Sequence, residues 1–395
     1  MASDQEWIKE NKHYLLPFLF FFSRIILFLT LVPYGYYGIG DLDVYREWTA
    51  LPGWPYLDYW VEYPPLFPFL SEILFRVVGE QSFLYDFLMA LVLAFAGAVT
   101  LFLFQKIASR LYDDRVSQIR SLILFGILVV LPYTWWYADL ITLALMMAGI
   151  WSILEKKDKF AGLWIGLGML AKWFPVFLLP ALIRQRSLKN IFQLTSIALV
   201  VVLIVFAILY VVSPEMTTAS LMAQPARSSW QTIWALMDRN LTTGAYLTTE
   251  QRLDPVQSTI PTRNPPVVPP LLTLPIFCGI GIILLAQQSQ TSDFNYLMNI
   301  GVVWILFLLW SPGWSSQWVL YILPLLLLTL PLSTGVLLSL LLVTINLIEF
   351  PFLLGRNVPA SLWVLVPIRT LMLIIMLILW LMMPKYIPEQ FQHTR

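Results

Sequence analysis

Long apolar runs separated by short polar stretches continue from one end of this chain to the other. They occupy 14–33, 83–104, 118–133, 138–154, 190–212, 267–287, 296–310, 317–332, 335–352 and 362–383. Most approach the ~20 residues that a helix needs to cross a bilayer, and the runs are continuous rather than alternating, which argues against a β-barrel. The pattern predicts an all-α polytopic membrane protein, a single bundle over 1–395 of about 10–12 transmembrane or re-entrant helices. No internal repeat is visible.

The polar connections set an expected orientation. Lys106, Arg110, Arg115 and Arg120 crowd one short loop, Glu155 to Lys159 another, and Arg184 to Lys189 a third. Basic loops stay on the cytoplasmic side. Both termini are then expected to be cytoplasmic, and loops 34–82, 134–138, 213–266, 311–316 and 353–361 extracytoplasmic. The stretch 160–183 joins two cytoplasmic loops and is too short to cross twice at ~1.5 Å per residue. It reads as a hairpin of two short helices that breaks near Lys172-Trp173-Phe174-Pro175. Residues 66–79, with Glu72 and Arg76 among apolar side chains, read as an interfacial helix. The segment 213–266 reads as a large folded outer loop. The mixed-charge first dozen residues and the lack of a small-residue cleavage site argue against a removed signal peptide.

Composition narrows the chemistry. Charged residues are 12% of the chain against about 25% in soluble domains. A net charge of +1 offers nothing to nucleic acid. One cysteine, Cys278, and two distant histidines, His13 and His393, argue against a disulfide, a thiolate cluster, a histidine metal site and Ser-His-Asp catalysis. Carboxylates remain, with Lys and Arg as partners.

The carboxylates concentrate in the first outer loop (34–82), where Asp41-Leu42-Asp43-Val44-Tyr45 is followed by Glu62-Tyr63-Pro64-Pro65. Asp41 and Asp43 are the candidate catalytic pair: such acids bind a cation, deprotonate a hydroxyl, or cap the helix expected from Val44. No cofactor is required by these residues, and a divalent cation, Mg2+ or Mn2+, between the two acids is the one candidate; two acids alone do not make a site. Lys172 within an apolar hairpin either binds an anion such as a lipid phosphate or snorkels to the interface. Arg227-Ser228-Ser229-Trp230-Gln231 reads as the opening of a short helix. There Arg227 would grip phosphate and Trp230 would face a sugar, or both would belong to an interfacial belt. Asp139, after Trp135-Trp136-Tyr137, orients a substrate or caps the next span. Trp314 and Gln317 lie in a polar outer turn that contacts a sugar or only breaks two helices. Tyr45, Glu62 and Tyr63 complete the candidate substrate contacts. Arg24, Glu349 and Arg369 lie inside apolar runs, where an internal ion pair is the expected role.

At these residues the chain resembles the GT-C glycosyltransferases, most of all the polyprenol-phosphate-mannose-dependent mannosyltransferases (glycosyltransferase family 87). The likeness rests on Asp41-Leu42-x-Val44-Tyr45, Tyr63-Pro64-Pro65, Lys172-x-x-Pro175 after Gly162, Gly166 and Gly168, and Ser311-Pro312 before Trp318. It departs at Ser316 and Gln317, where the family often has paired histidines, and around Ser228, where the family's Asn-Gln-Ser pattern is missing. The resemblance implies Asp41 as catalytic base, a polyprenyl-phosphate sugar as donor, a lipid-linked or glycan acceptor, membrane lipid as surroundings, and inversion at the anomeric carbon. A transporter or lipid flippase is the competing class; it would be expected to show repeats and polar residues at mid-span.

Overall fold

Every apolar run is helical in the computed structural model, which describes residues 13–244, 248–287 and 292–383. A chain this apolar satisfies its backbone donors and acceptors internally, and a helix does so within one segment. Among the described residues the regular structure is all helix, with three isolated β-bridges. Among the described residues six segments are long and apolar enough to cross a membrane: Leu15–Tyr34, Ser82–Leu111, Leu188–Val212, Asp293–Trp310, Leu332–Arg356 and Pro359–Met382. The chain is an integral membrane protein. Other apolar helices are shorter; the 16 residues of Asp139–Leu154 reach about 24 Å, below the ~30 Å hydrocarbon core.

The described chain forms two compact units, 1–176 with 192–227 and 247–260, and 177–191 with 228–246 and 261–395. The first contains α1 (Leu15–Leu31), α2 (Leu42–Thr49), α3 (Leu66–Val78), α4 (Ser82–Leu111), α5 (Asp114–Val130), α6 (Asp139–Leu154), α7 (Asp158–Ala171), α8 (Leu188–Val212, from Phe192) and α9 (Pro214–Ala226). The 30-residue α4 is its spine, with α1, α5 and α6 packed on it. Gly97 of α4 admits the Phe20 ring of α1; a Cβ there would stand 2.2 Å from the ring. Gly162 and Gly166 of α7, four apart, lie on the backbone of α8. Cβ atoms on them would come within 2.6 Å of the Leu194 carbonyl and 2.9 Å of the Ala198 carbonyl. Small residues at this spacing let two membrane helices approach closely. Arg24 of α1 is buried, but not in the expected ion pair: its guanidinium donates to the carbonyls of Leu128 and Val129, both at 2.7 Å, at the C-terminal end of α5. That end carries the negative pole of the helix and unsatisfied acceptors. The 13 residues of α3 are too few to cross a bilayer as a helix.

The second unit contains α10 (Ile233–Met237), α11 (Pro270–Ala286), α12 (Asp293–Trp310), α13 (Val319–Thr329), α14 (Leu332–Leu347) and α15 (Leu362–Met382). α13 is buried along its whole length and packs against α12 and α14. Gly301 of α12 lies beneath the Trp380 ring of α15, whose indole nitrogen donates to the Thr329 hydroxyl at 2.7 Å. Glu349 and Arg369 form the buried ion pair expected of them. Gln231 completes it, donating from its side-chain amide to Glu349 at 2.7 Å and offering its backbone carbonyl to Arg369.

Candidate active site

The loop after α1 doubles back onto the turn before α6. After α1, Gly35 and Gly38 take left-handed φ of +81° and +76°, which glycine adopts without a Cβ penalty. Gly40 then pairs with Trp136 in a parallel bridge, and the Asp41 amide donates to the Trp136 carbonyl at 3.3 Å. The Trp136 indole nitrogen donates to the Tyr37 carbonyl. A Cβ on Gly40 would meet the Trp136 Cβ at 2.3 Å and its Cα at 3.0 Å. Backbone on both sides cannot yield cheaply, so Gly40→Ala is expected to separate the two segments. Overpacking of this kind costs about 1–3 kcal/mol. A drop in unfolding midpoint together with lost turnover would show it; a fully active, fully stable variant would count against this docking.

Asp41 is the N-cap residue of α2, and its side chain makes no capping hydrogen bond. The helix begins at Leu42 rather than Val44, which places Asp43 inside the first turn instead of at the cap. Asp43 is 82% exposed on its side chain and pairs with Arg46, which also lies 3.5 Å from the buried Asp86. Tyr45, one turn along, is buried edge-on against Phe67 at 4.5 Å and accepts a hydrogen bond from the Ala138 amide at 3.4 Å.

Lys172 arrives from the break in the hairpin. α7 ends at Ala171, Lys172 is extended (φ −162°, ψ 143°), and a 3-10 turn starts at Phe174. The break is where the sequence placed it, although the return is made of 3-10 turns rather than a second α-helix. Pro175 folds back onto Gly168, and Trp173 stacks on Phe206 of α8 at 5.7 Å. So fixed, the Lys172 ammonium donates to Asp139 Oδ1 at 2.7 Å and faces the rings of Phe174 at 5.0 Å and Tyr63 at 6.0 Å. Asp139 is the first residue of α6, and its carboxylate meets Lys172 rather than capping the helix.

Tyr137 joins this group, a residue the sequence reading passed over. Burial first, then the charge of Asp41, with Asp139 and neighbouring phenols contributing, holds the Tyr45 and Tyr137 hydroxyls well above the usual phenol range. Both therefore remain neutral hydrogen-bond donors. Asp41, Tyr45, Tyr63, Tyr137, Asp139 and Lys172 thus gather around the start of α2, the start of α6 and the end of α7.

Glu62 lies in an adjoining latch. Its carboxylate receives two hydrogen bonds from Arg252, at 2.5 and 3.2 Å. The guanidinium is sandwiched by Trp48 at 4.6 Å and Trp60 at 5.1 Å. Burial would raise the Glu62 carboxyl, but the charge and hydrogen bonds of Arg252, with Arg227 adding to them, hold it below the ordinary range. Arg227 ends α9 beside this latch. Arg252 carried no sequence signal, since it sits in a polar stretch without periodicity.

Trp230, Trp314 and Gln317 belong to the second unit. The short helix expected to open at 227–231 starts later. Trp230 pairs in a bridge with Gly313, where a Cβ would stand 2.2 Å from the indole, and the next helix begins at Ile233, capped by Thr232. The Trp314 indole is buried, donates to Asn346 Oδ1 at 2.9 Å and lies beneath the Arg369 guanidinium at 4.6 Å. Gln317 is buried in the 3-10 turn Ser316–Trp318. Among the described residues no three His, Cys, Asp or Glu side chains group as metal ligands, and Asp43 is engaged by Arg46, so no step is derived through a cation.

No protein-family model matches the chain, and no curated protein does. Among solved structures it is similar to the archaeal oligosaccharyltransferase AglB from Archaeoglobus fulgidus, in complex with an inhibitory peptide and a dolichol-phosphate. The TM-score is 0.42 at 11% identity, over 96% of this chain. The chain spans 56% of that protein's length. A likeness of that order leaves the functional reading to the residues.

Proposed function

We propose that the chain is an inverting glycosyltransferase of the GT-C type. It transfers a sugar, mannose on the family resemblance, from a polyprenyl-phosphate donor to a lipid-linked or glycan acceptor on the extracytoplasmic side. The supporting observation is the ion pair of Asp139 with Lys172, a lysine at a helix break, with the phenols of Tyr45 and Tyr137 in the field of both Asp139 and Asp41. In this reading Lys172, with Arg227 as a further cation, neutralises the donor phosphate. Asp41 takes the proton of the acceptor hydroxyl as that oxygen attacks the anomeric carbon. The bond from that carbon to the phosphate oxygen breaks, and the oxygen leaves with the electron pair as polyprenyl phosphate. One displacement inverts the configuration.

A transporter would be expected to show an internal repeat, and none is visible in the sequence. The test is incubation of purified protein with radiolabelled polyprenyl-phosphate sugars, followed by analysis of released polyprenyl phosphate and labelled product. Donor left intact across sugars and acceptors would count against the assignment. Within that assay Lys172→Ala is expected to raise the donor KM by about tenfold or more, the scale of a lost charge-assisted contact. An unchanged donor dependence would remove Lys172 from phosphate binding.

A further inference from the structure

Resting on the reading above, in which Lys172 receives the donor phosphate, we infer that Asp139 is an internal competitor for the same ammonium. It holds Lys172 until a phosphate displaces it, and takes Lys172 back to expel the product. The pair is closed at 2.7 Å, with side-chain exposures of 14% for Lys172 and 4% for Asp139. A phosphate reaching Nζ therefore arrives beside a carboxylate already bonded to it. Two anions on one ammonium repel strongly at such separations. Asp139 has to yield its hold, and the neutral hydroxyls of Tyr45 and Tyr137 are donors within its field that can receive it.

The charge change during transfer gives this exchange a use. The donor is a phosphodiester with one negative charge. Once the bond between sugar carbon and phosphate oxygen breaks, the leaving group is a monoester with a second pKa of about 6, close to doubly charged at neutral pH. The product therefore grips Lys172 harder than the substrate does. Asp139, poised to re-form its ion pair, opposes that grip and speeds release.

The experiment measures binding of a polyprenyl monophosphate, and separately of inorganic phosphate, to the detergent-solubilised full chain. Wild type is compared with Asp139→Asn, Lys172→Ala and the double variant. Asp139→Asn is expected to tighten polyprenyl monophosphate by about tenfold, a usual size for coupling between two sites. It is also expected to lower both donor KM and kcat, because product release slows. Lys172→Ala should abolish the gain. A merely structural Asp139 would instead weaken binding. Unchanged or weaker affinity in Asp139→Asn, with wild-type binding still dependent on Lys172, overturns the inference and leaves the transferase reading standing. No Lys172-dependent binding in wild type overturns both. A gain confined to inorganic phosphate assigns the site to the free anion and overturns the product-release role. Should Asp139→Asn fail to fold, carbodiimide labelling of Asp139 in wild type replaces it: polyprenyl monophosphate is expected to raise the labelling, and no rise overturns the exchange.

Discussion

Asp41→Asn is expected to lower sugar transfer by about 10²–10⁴-fold, the contribution of a positioned general base, while the protein remains folded. The variant keeps the size of the side chain and removes its charge, and with that charge the ability to take a proton. Two contacts that seat the residue belong to its backbone: the amide donates to the Trp136 carbonyl and the carbonyl accepts from the Tyr45 amide at 3.0 Å. Neither changes with the substitution. Donor binding is assigned to Lys172, so donor KM is expected to stay near wild type while kcat falls. This separates a lost base from a lost site. The unfolding midpoint in detergent supplies the control. A variant that turns over at the wild-type rate would take Asp41 out of the chemistry, and a variant that loses donor affinity as well would make it a binding group instead.

The helices were legible because their requirement is simple. In an apolar medium any long apolar segment must satisfy its own backbone, so composition alone located all ten runs. The break at Lys172 was legible for a similar local reason: Pro175 lacks a donor, and a helix entering it stops early. The Glu349–Arg369 pair followed from the cost of isolated charges inside apolar spans. Long-range choices were not legible. Arg24 meets helix carbonyls rather than an acid, because the free end of α5 lies beside it. The segment 227–231 has the look of a helix start, yet Trp230 pairs with Gly313 and the helix begins only at Ile233. In the candidate site, Asp41 and Lys172 stood out by residue type and position. What joins them did not: Asp139 meets Lys172 across 33 positions, and Glu62 meets Arg252 across 190.

The Glu62–Arg252 latch is where the largest loss of stability is expected. Arg252→Met retains most of the apolar stem between Trp48 and Trp60 but leaves the Glu62 carboxylate buried without its cation. Removing one member of a buried pair costs about 3–5 kcal/mol. The unfolding midpoint should fall accordingly, and turnover with it, since the latch holds Trp48 of α2 and the backbone next to Tyr63. Glu62→Gln combined with Arg252→Met should recover much of the loss, because both charges are then gone. The pH dependence has a definite sign. Glu62 is held below its ordinary carboxyl range in the folded protein. Its stabilisation is therefore complete above the unfolded value of about 4.3 and disappears as pH falls through the lower folded value. Wild type should lose stability over that acid window, and the double variant should lose less there. An Arg252→Met protein that melts with wild type would show that the guanidinium does not hold the loop, whereas a double variant no better than Arg252→Met would trace the loss to packing between the two indoles rather than to charge.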